Sequence, residues 1–408
     1  MPVEVTGRFR RRGGVYLAGE SVECEIIICN VPNSYPSEQQ NGTVADEESE
    51  NRGVEIIQWC SAQIHCQEVI NNHRVKFVKK PEHQLSQRDV ASGSTSFVAT
   101  RGENGCAIYA SKPSILCCDL QLAPNQTKTL YYSETLPGED VPPSFKGLSV
   151  KYMYKLTVGI QHANSPVKLL RVPLRVLTLP GLSEMCLRGG NLSSSNPCLN
   201  IEQQHRPTTI DIANDLIETI TAGKSQHTYN ITNELGKVCT LTLLKKAFKL
   251  GEDIVGTFDF SQAASACSQF LVSLQTDEQA VDESFVVKDQ RSPLITTHAT
   301  QHGFCLYCSN SELRVQIPLS ATPSFMNDFV NVRWNLHFEF VISDGINGSY
   351  ARHPDGGVEW TAPAALEIHT MVWDLPIKVY ACNPLHAANA SAASEGVAGA
   401  MKPYSVRI

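Results

Sequence analysis

The chain has 408 residues, 42% of them apolar and 18% charged, and its formal net charge is −7. This length exceeds one ordinary core and suits two domains with connecting segments. The apolar content predicts a folded chain. The acidic balance argues against a nucleic-acid partner, because nucleic-acid-binding proteins usually carry a basic surplus. No window approaches the roughly 18 to 20 uncharged apolar residues of a membrane span.

The sequence predicts a chain that stays in the cytosol. Residues Met1–Arg12 lack the apolar stretch of a secretory signal. The 14 cysteines are scattered along the chain. Several of them, such as Cys24 and Cys66, alternate with apolar residues in strand-like runs. We therefore expect reduced thiols in a protein core rather than disulfides.

Short apolar and β-branched runs dominate, and clusters of Gly, Pro, Asn and Ser separate them, which predicts strands joined by turns. The run from Val150 to Val158 alternates apolar and polar side chains, with only Met153 out of step. One face of this strand would pack on a core and the other would contact water. Many such strands with almost no helices predict an all-β fold of antiparallel sandwiches. The predicted strands are Val22–Cys29, Gly53–Cys66, Ile115–Leu122, Lys128–Leu136, Val150–Ile160 and Val167–Leu177.

Polar segments interrupt these runs and are predicted to be long loops, because they lack apolar periodicity. The last residues, 383–408, contain many small side chains and are predicted to be a flexible tail. The predicted loops cover residues 33–52, 71–104, 184–206 and 277–300.

One segment between the strand-rich halves is predicted to be helical, near residues 209–222. Thr208 or Thr209 can cap its start, and Gly223 lies just past its end. An apolar stripe at spacings of three and four residues either packs on the chain itself or docks on a partner. The sequence thus nominates four partner-binding residues, which are Ile210, Ala213, Ile217 and Ile220.

Three motifs occur in the same order in each half, which predicts a duplicated fold. The first motif is an aromatic residue followed by Gly-Glu at the start of a strand. The third contains a Pro inside a strand, which predicts a place at a sheet edge or a bulge. The pairs are Tyr16–Val22 with Phe248–Ile254, Pro143–Phe145 with Pro323–Phe325, and Val172–Val176 with Leu375–Val379.

The motifs that could carry chemistry do not assemble into a catalytic site. Phosphate-loop, dinucleotide-binding and nucleophile-elbow patterns do not occur in the sequence. A CxxC at Cys305–Cys308 and an HxE at His337–Glu339 each lack the second ligand group that a zinc site needs, so strand residues are the preferred interpretation. His65 and Cys66 would point to opposite faces of a strand. The sequence therefore predicts no enzyme, no metal and no cofactor.

A basic run lies near the start of the chain. We expect it to form a solvated strand end or turn, and contact with anionic lipid is the alternative. The run comprises Arg8, Arg10, Arg11 and Arg12.

The repeated pattern resembles the arrestin fold, in which two β-sandwiches follow one another. The motif from Pro142 to Leu156 is similar to the N-terminal arrestin domain. Within that superfamily the chain resembles the "reduced growth phenotype" protein family, the smaller subunit of the two-subunit exchange factor for the Golgi Rab GTPase numbered six. The stretches that carry this resemblance are Tyr16–Glu20, Ser61–Gln67, Ser149–Thr157, Leu170–Val176, Leu250–Gly256, Leu336–Val341 and Trp373–Val379.

The resemblance implies tandem arrestin-like sandwiches with one short inter-domain helix and long polar loops. The N-terminal sandwich would span residues 1–180 and the C-terminal sandwich 228–382. Residues 181–227 would form a linker that contains the helix.

The resemblance also implies a function by binding. The family's smaller subunit binds a larger partner that contains β-propellers and a helical solenoid. The heterodimer binds a Golgi Rab GTPase in its GDP-bound and nucleotide-free forms, and it supports endosome-to-Golgi retrograde transport. We therefore expect a protein of the cytosol that associates peripherally with the Golgi membrane. The alternatives are an arrestin-like cargo or receptor adaptor in endosomal sorting, and an enzyme with an unrecognised site.

Overall fold

The structure is a computed structural model of the chain. Two compact units divide it: residues 1–212, 283–288 and 383–408 form the first, and residues 213–282 and 289–382 form the second. The described residues are 3–31, 53–78, 84–85, 98–163, 165–190, 207–223, 225–289, 291, 293–306, 308–343, 349–352, 358–361, 367–394 and 404–408.

Strands make up most of the described chain, so the predicted all-β class is confirmed. Those of the first half are β1 Val3–Phe9, β2 Val15–Leu17, β3 Ser21–Asn30, β4 Glu55–Ile70, β5 Val75–Phe77, β6 Cys106–Ala110, β7 Ser114–Leu122, β8 Thr127–Thr135, β9 Phe145–Lys146, β10 Val150–His162 and β11 Lys168–Leu177. Those that follow are β12 His227–Asn233, β13 Gly236–Leu243, β14 Ala247–Lys249, β15 Asp253–Asp259, β16 Ala266–Ala280, β17 Phe285–Val287, β18 Ile295–Phe304, β19 Asn310–Gln316, β20 Phe325–Met326, β21 Val330–Ser343, β22 Ser349–Arg352, β23 Val358–Thr361, β24 Ile368–Tyr380 and β25 Tyr404–Arg407.

The α-helices of the described residues are few and short. They are α1 Leu182–Gly190, α2 Thr209–Thr221 and α3 Pro384–Ser394. None of these helices has the length and apolar character needed to cross a bilayer.

All six predicted strands are present, and the largest difference is β4, which continues to Ile70 instead of ending at Cys66. Three of the predicted loops need correction. Strand β5 lies within 71–104, helix α1 covers the start of 184–206, and 277–300 contains the end of β16, all of β17 and the start of β18. These elements are short or Thr-rich and polar, so apolar periodicity did not reveal them. The predicted loop 33–52 lies outside the described residues.

The two units share one strand order. The first contains a sheet β25-β1-β3-β8 and a larger sheet β2-β11-β10-β4-β6, with β7 paired to β4 and β9 to β10. The second contains a sheet β12-β13-β15-β19 and a larger sheet β14-β24-β21-β16-β18, with β20 paired to β21. Because position matches position in both sheets, the topology supports the predicted duplication.

Each core lies between the two sheets of its unit. In the second unit, the Phe258 ring of the smaller sheet lies 6.0 Å from the rings of both Phe338 and Phe340 in the larger sheet. In the first unit, a Cβ at Gly7 of β1 would come within 2.7 Å of Val172 of β11, so glycine permits this close approach of the sheets. Alternation places apolar side chains inward on both sheets.

Within residues 383–408, which the sequence predicted to be a flexible tail, the structure places helix α3 and strand β25, and residues 395–403 lie outside the described residues. Asn383 caps α3 by accepting a hydrogen bond from the N–H of Leu385 (2.8 Å), and Pro384 takes the first helical position, which suits its fixed φ. Strand β25 pairs antiparallel with β1 and supplies the edge of its sheet. Small residues indicated mobility, but alanine is also the best helix former, and that preference prevails here.

The predicted positions of the two strand prolines are confirmed. Pro173 pairs with Lys155 of β10, while the parallel partner β2 begins its pairing only at Arg175. Pro376 pairs with Asn335 of β21, and β14 begins its pairing two residues later. Among the described residues, each Pro therefore has a neighbouring strand on one side, where its missing N–H costs little.

Each unit contains the same carboxylate-centred corner, at the first of the repeated motifs. In the first unit, Glu20 accepts hydrogen bonds from the backbone N–H of Leu17 (2.6 Å) and from both terminal nitrogens of Arg11 (2.8 and 2.9 Å). The guanidinium lies 4.6 Å from the centroid of the Tyr16 ring, a cation–π contact. Gly19 makes the turn with a φ of 83°, which would strain a residue with a side chain.

The second unit repeats this corner with different cations and rings. Glu252 accepts a hydrogen bond from the N–H of Lys249 (3.0 Å) and forms an ion pair with Lys245. The Lys245 ammonium lies 5.5 Å from the centroid of the Phe248 ring. Gly251 has the same φ of 83°. Each corner thus holds a three-residue strand, β2 or β14, parallel to the last long strand of its larger sheet.

The carboxylate of Glu20 should stabilise the chain more than that of Glu252. The Glu20 side chain is 5% exposed and that of Glu252 is 23% exposed. Removal of a buried partner leaves a charge and an N–H unpaired. We expect Glu20→Ala to lower the free energy of unfolding by about 3 kcal/mol and Glu252→Ala by about 1 kcal/mol. Thermal and denaturant unfolding would measure both. Glu23→Ala, which breaks the exposed pair with Arg10, is the control and should cost less than about 0.5 kcal/mol. Equal losses for all three variants would contradict this ranking.

Candidate interaction surface

Helix α2 begins at a residue that the sequence nominated as its cap. Thr208 Oγ1 accepts a hydrogen bond from the N–H of Asp211 (3.2 Å), and the Asp211 carboxylate accepts one from the N–H of Thr208 (2.9 Å). This reciprocal pair is a capping box. At the other end, Lys245 Nζ donates to the carbonyl oxygen of Thr221 (2.8 Å), where the helix dipole favours a cation.

The four nominated residues of α2 divide into two pairs. Ala213 and Ile217 are buried within the chain itself, so they present no surface to a partner in this conformation. Ile210 and Ile220 are half-buried. The middle of the stripe therefore packs on its own chain, and partner binding by the helix stays a prediction that rests on Ile210 and Ile220.

The HxE motif lies on an outer sheet face. Leu336 and Phe338 of β21 are buried in the core, so His337 and Glu339 between and beyond them point outward. His337 Nδ1 lies 2.7 Å from Asp374 Oδ1 of the neighbouring strand, and Nε2 lies 3.5 Å from Glu339 Oε1. The described part of the chain contains no group of three or more His, Cys, Asp or Glu side chains placed to hold a metal ion.

The remaining motif residues are also separated. Cys305 is buried and Cys308 is exposed. Cys66 is buried on the core face of β4, directly opposite Tyr154 of β10. His65 lies on the outer face, with Nε2 3.2 Å from Glu103 Oε2. The prediction that His65 and Cys66 point to opposite faces is confirmed.

The basic run ends in a turn, as the sequence predicted. Strand β1 stops at Phe9, and a short 3-10 turn covers Arg12–Gly14. Arg10 pairs with Glu23 (2.6 Å) and Arg11 with Glu20 (2.8 Å). Arg8 and Arg12 are exposed, so the lipid alternative stays a prediction for these two side chains.

Glu103 is the centre of a polar cluster on the outer face of β4. Its carboxylate lies 3.2 Å from His65 Nε2 and 3.1 Å from Arg171 Nε, and it accepts a hydrogen bond from the Lys155 ammonium. Burial by itself raises the pKa of Glu103, but the hydrogen bonds from His65 and Lys155 outweigh it and hold the pKa at about 2. The carboxylate therefore stays charged and fixes its own chain segment against β4.

The outer face of the larger sheet in the second unit carries a diagonal of apolar side chains, one from each of β18, β16, β21 and β24. Gln269 of β16 pairs with Phe304 of β18 on one side and with Val341 of β21 on the other. Glu339 of β21 pairs with Leu271 of β16 on one side and with Val372 of β24 on the other. Diagonal neighbours on adjacent strands lie about 7–8 Å apart, within reach of large side chains. We name this surface the open face, and it comprises Phe304, Leu271, Val341 and Val372.

The ends of the open face are strongly exposed. Phe304 is 80% exposed and Val372 is 54% exposed. The Glu339 carboxylate lies between Leu271 and Val372, and Asp374 lies beyond Val372 on β24, with His337 between the two carboxylates. Apolar surface that is contiguous across strands and bordered by charge is typical of protein–protein interaction sites.

The corresponding face of the first unit is closed. Strands β4 and β16 occupy the same position in their sheets. Four consecutive outward side chains of β4 are at most 1% exposed, and the Glu103 cluster lies among them; these side chains are Ser61, Gln63, His65 and Gln67. The duplicated fold thus has one sealed sheet face and one open sheet face among the described residues.

Sequence reasoning did not find the open face. Most of β18 fell in the predicted loop 277–300, and the diagonal exists only once the strand register is known. A partial signal was present in β16 and β21, where Leu271 and Val341 are apolar at positions opposite to the core-facing Phe270 and Phe340.

The fold and the open face together define a duplicated all-β protein with a surface suited to binding another protein. The family model described as Rgp1 matches residues 33–185 and 188–343 of the chain. The human protein "RAB6A-GEF complex partner protein 2" is 39% identical over 390 residues, which cover 93% of this chain and 95% of the human one. The bovine protein of the same name is 39% identical over 377 residues, which cover 90% and 91%. The chain belongs to the Rgp1 family.

The depressed pKa of Glu103 makes stability depend on pH. The pKa of this carboxyl is about 2 in the folded chain and about 4.3 in an unfolded one. Its contribution, about 2–3 kcal/mol, is therefore present above about pH 4.5 and is lost as the pH falls towards 2. We expect Glu103→Gln to reduce the free energy of unfolding at pH 7 and to flatten its fall between pH 5 and pH 2.5. Denaturant titrations across this range would test it. The same acid slope in both proteins would refute this assignment.

Proposed function

We propose that this chain is the non-catalytic subunit of a two-subunit guanine-nucleotide exchange factor that promotes GDP release from a Golgi Rab GTPase. One observation carries this proposal: the likeness to the human complex partner protein extends over 93% of this chain and 95% of that protein. Likeness over nearly the whole of both chains supports the same place in the same kind of complex.

We infer that the fold is of the tandem arrestin type. The shared strand order of the two units supports it, because each unit has a four-stranded sheet packed on a larger one. The repeated carboxylate corner supports it as well, since the same turn chemistry closes both larger sheets. The motif from Pro142 to Leu156, which resembles the N-terminal arrestin domain, lies in β9, β10 and the turns before them.

The other subunit of the complex is proposed to be a larger protein with β-propellers and a helical solenoid, and to bind at the open face. A subunit that acts in a complex needs an exposed apolar surface, and the diagonal from Phe304 to Val372 provides one. The carboxylates of Glu339 and Asp374 favour a partner surface with an apolar centre and a basic rim. Half-buried Ile210 and Ile220 are a second, smaller candidate.

The mechanism follows from differential binding. The assembled complex binds the GDP-bound Rab and favours a conformation in which the switch loops, the phosphate site and the Mg²⁺ site are disturbed. GDP then leaves, and GTP binds and releases the complex by mass action. No covalent bond changes, so this chain needs no catalytic group. Its role is to bind the other proteins of the complex and to orient them.

The proposed setting is the cytosolic face of the Golgi, where the complex associates peripherally and supports endosome-to-Golgi retrograde transport. A Rab substrate is itself a membrane-attached protein, so a peripheral complex can meet it without an anchor of its own.

An arrestin-like cargo or receptor adaptor is the competing function, and the binding partners distinguish the two functions.

A pulldown from cell extract with the full chain tests the proposal. We expect a large propeller-containing protein and a Rab GTPase in the presence of GDP, and we expect Phe304→Asp to reduce recovery of the large protein at least tenfold, because a charge would be buried in the interface. Tyr131→Asp is the matched control, since Tyr131 is 74% exposed on β8 of the first unit. This control should bind like the unaltered chain.

Other results would argue against the proposal in different ways. Recovery of receptor or cargo tails without a propeller protein would favour the adaptor function. Equal recovery by Phe304→Asp and Tyr131→Asp would leave the complex intact but would remove the open face as its binding surface.

A further inference from the structure

Two cysteines of the first unit face each other across neighbouring strands. Cys60 of β4 and Cys117 of β7 are direct register partners, and a bulge follows them between Cys60 and Ser61. Directly opposed residues of antiparallel strands have Cα atoms about 4.5–5.5 Å apart. This spacing lies inside the range of about 4.4–6.8 Å that a disulfide requires, so the backbone already suits a bond between the two sulfurs.

The two thiols shift each other's pKa and are not equivalent. The hydrogen bond from the Cys60 thiol lowers the pKa of Cys117. The same bond, together with burial, raises the pKa of Cys60. Cys60 is fully buried, whereas Cys117 is half-buried and within reach of a small solute. Cys117 thus has the features of an attacking thiol, and Cys60 those of a resolving thiol.

The neighbouring exposed cysteine cannot take the place of Cys117. Cys118 is exposed, but its register partner is Trp59. Adjacent strand residues point to opposite faces, so Cys118 faces away from Cys60. Sequence adjacency alone therefore does not make a reactive pair here.

A second thiol pair in the second unit provides a natural comparison. The Cys305 thiol donates a hydrogen bond to the carbonyl oxygen of Cys267 (3.3 Å), and the Cys267 thiol donates one to the carbonyl oxygen of Gln269 (3.4 Å). Both side chains are buried, with exposures of 3% and 2%. The hydrogen bond with Cys267 and burial raise the pKa of Cys305. This pair has the proximity but lacks access to solvent, and the pKa of Cys305 is raised rather than lowered.

We propose that Cys60 and Cys117 form an oxidisable dithiol that a peroxide converts into a cross-strand disulfide. The Cys117 thiolate attacks one peroxide oxygen, the O–O bond breaks, and the leaving hydroxide takes a proton to become water. The resulting sulfenic acid is attacked by the Cys60 sulfur, which loses its proton as the second water leaves. Two thiols are oxidised by two electrons in total, and one hydrogen peroxide is reduced to two waters.

The bond would join β4 to β7 at a level where a bulge interrupts their backbone pairing. It would close a long loop of the unfolded chain and so raise the Tm of the first unit. A small dithiol reductant would reverse it by thiol–disulfide exchange. The proposal does not depend on the exchange-factor function.

The test uses the full chain, reduced and then treated with stoichiometric hydrogen peroxide. Free thiols are blocked at intervals, and the non-reduced peptides are mapped by mass spectrometry. We expect the Cys60–Cys117 disulfide to form before any other modification, with the loss of two thiols per chain, a Tm higher by several degrees and full reversal by dithiothreitol. A sulfenic-acid trap such as dimedone should label Cys117 in Cys60→Ser and label little in the unaltered chain.

Two variants control for general oxidation. Cys118→Ser and Cys267→Ser should form the Cys60–Cys117 disulfide at the rate of the unaltered chain. The proposal is overturned if the unaltered chain oxidises first at Cys118 or at the Cys267–Cys305 pair. It is also overturned if peroxide consumes thiols without linking Cys60 to Cys117. Because these outcomes are read on the unaltered chain, they stand even if Cys60→Ser folds poorly.

Discussion

The carboxylate in the corner of each unit is the constraint on which the remaining architecture depends. Glu20 and Glu252 each accept the N–H of a strand residue three positions earlier, and each carries a cation that lies over an aromatic ring. These contacts fix a three-residue strand in parallel register beside a long antiparallel sheet. Without this corner, the last long strand of the larger sheet would lose its outer neighbour, and the turn that launches β3 or β15 would lose its anchor.

Much of this organisation could be predicted from the sequence, because it depends on local patterns. The Gly-Glu motif, the strand prolines and the alternation from Val150 to Val158 each require a particular backbone, and they occur twice in the same order. The elements that were missed depend on distant partners. Strand β25 has exposed side chains and exists through its pairing with β1, and polar β18 exists through its pairing with β16. The open face was the hardest feature to predict from the sequence, because it exists only once the register of four strands is known.

Duplication followed by divergence explains how one fold gives two different surfaces. In the first unit, the outer sheet face is polar and sealed, with the charged Glu103 held by His65, Lys155 and Arg171. In the second, the equivalent face carries exposed apolar side chains with Phe304 at its edge. A sealed face stabilises its own unit, and an open face offers binding energy to another protein. Membership of the Rgp1 family, whose human and bovine relatives are named as complex partners, fits this division.

The most direct test of the proposed exchange function is release of a fluorescent guanine nucleotide from the GDP-loaded Rab GTPase in the presence of excess GTP. The rate would be measured with this chain alone, with the larger subunit alone and with the assembled pair. If this chain acts by binding within an exchange complex, release is fast with the pair and remains at the intrinsic rate with this chain alone. Release at the intrinsic rate in the presence of a pair that has demonstrably assembled would contradict the proposed function.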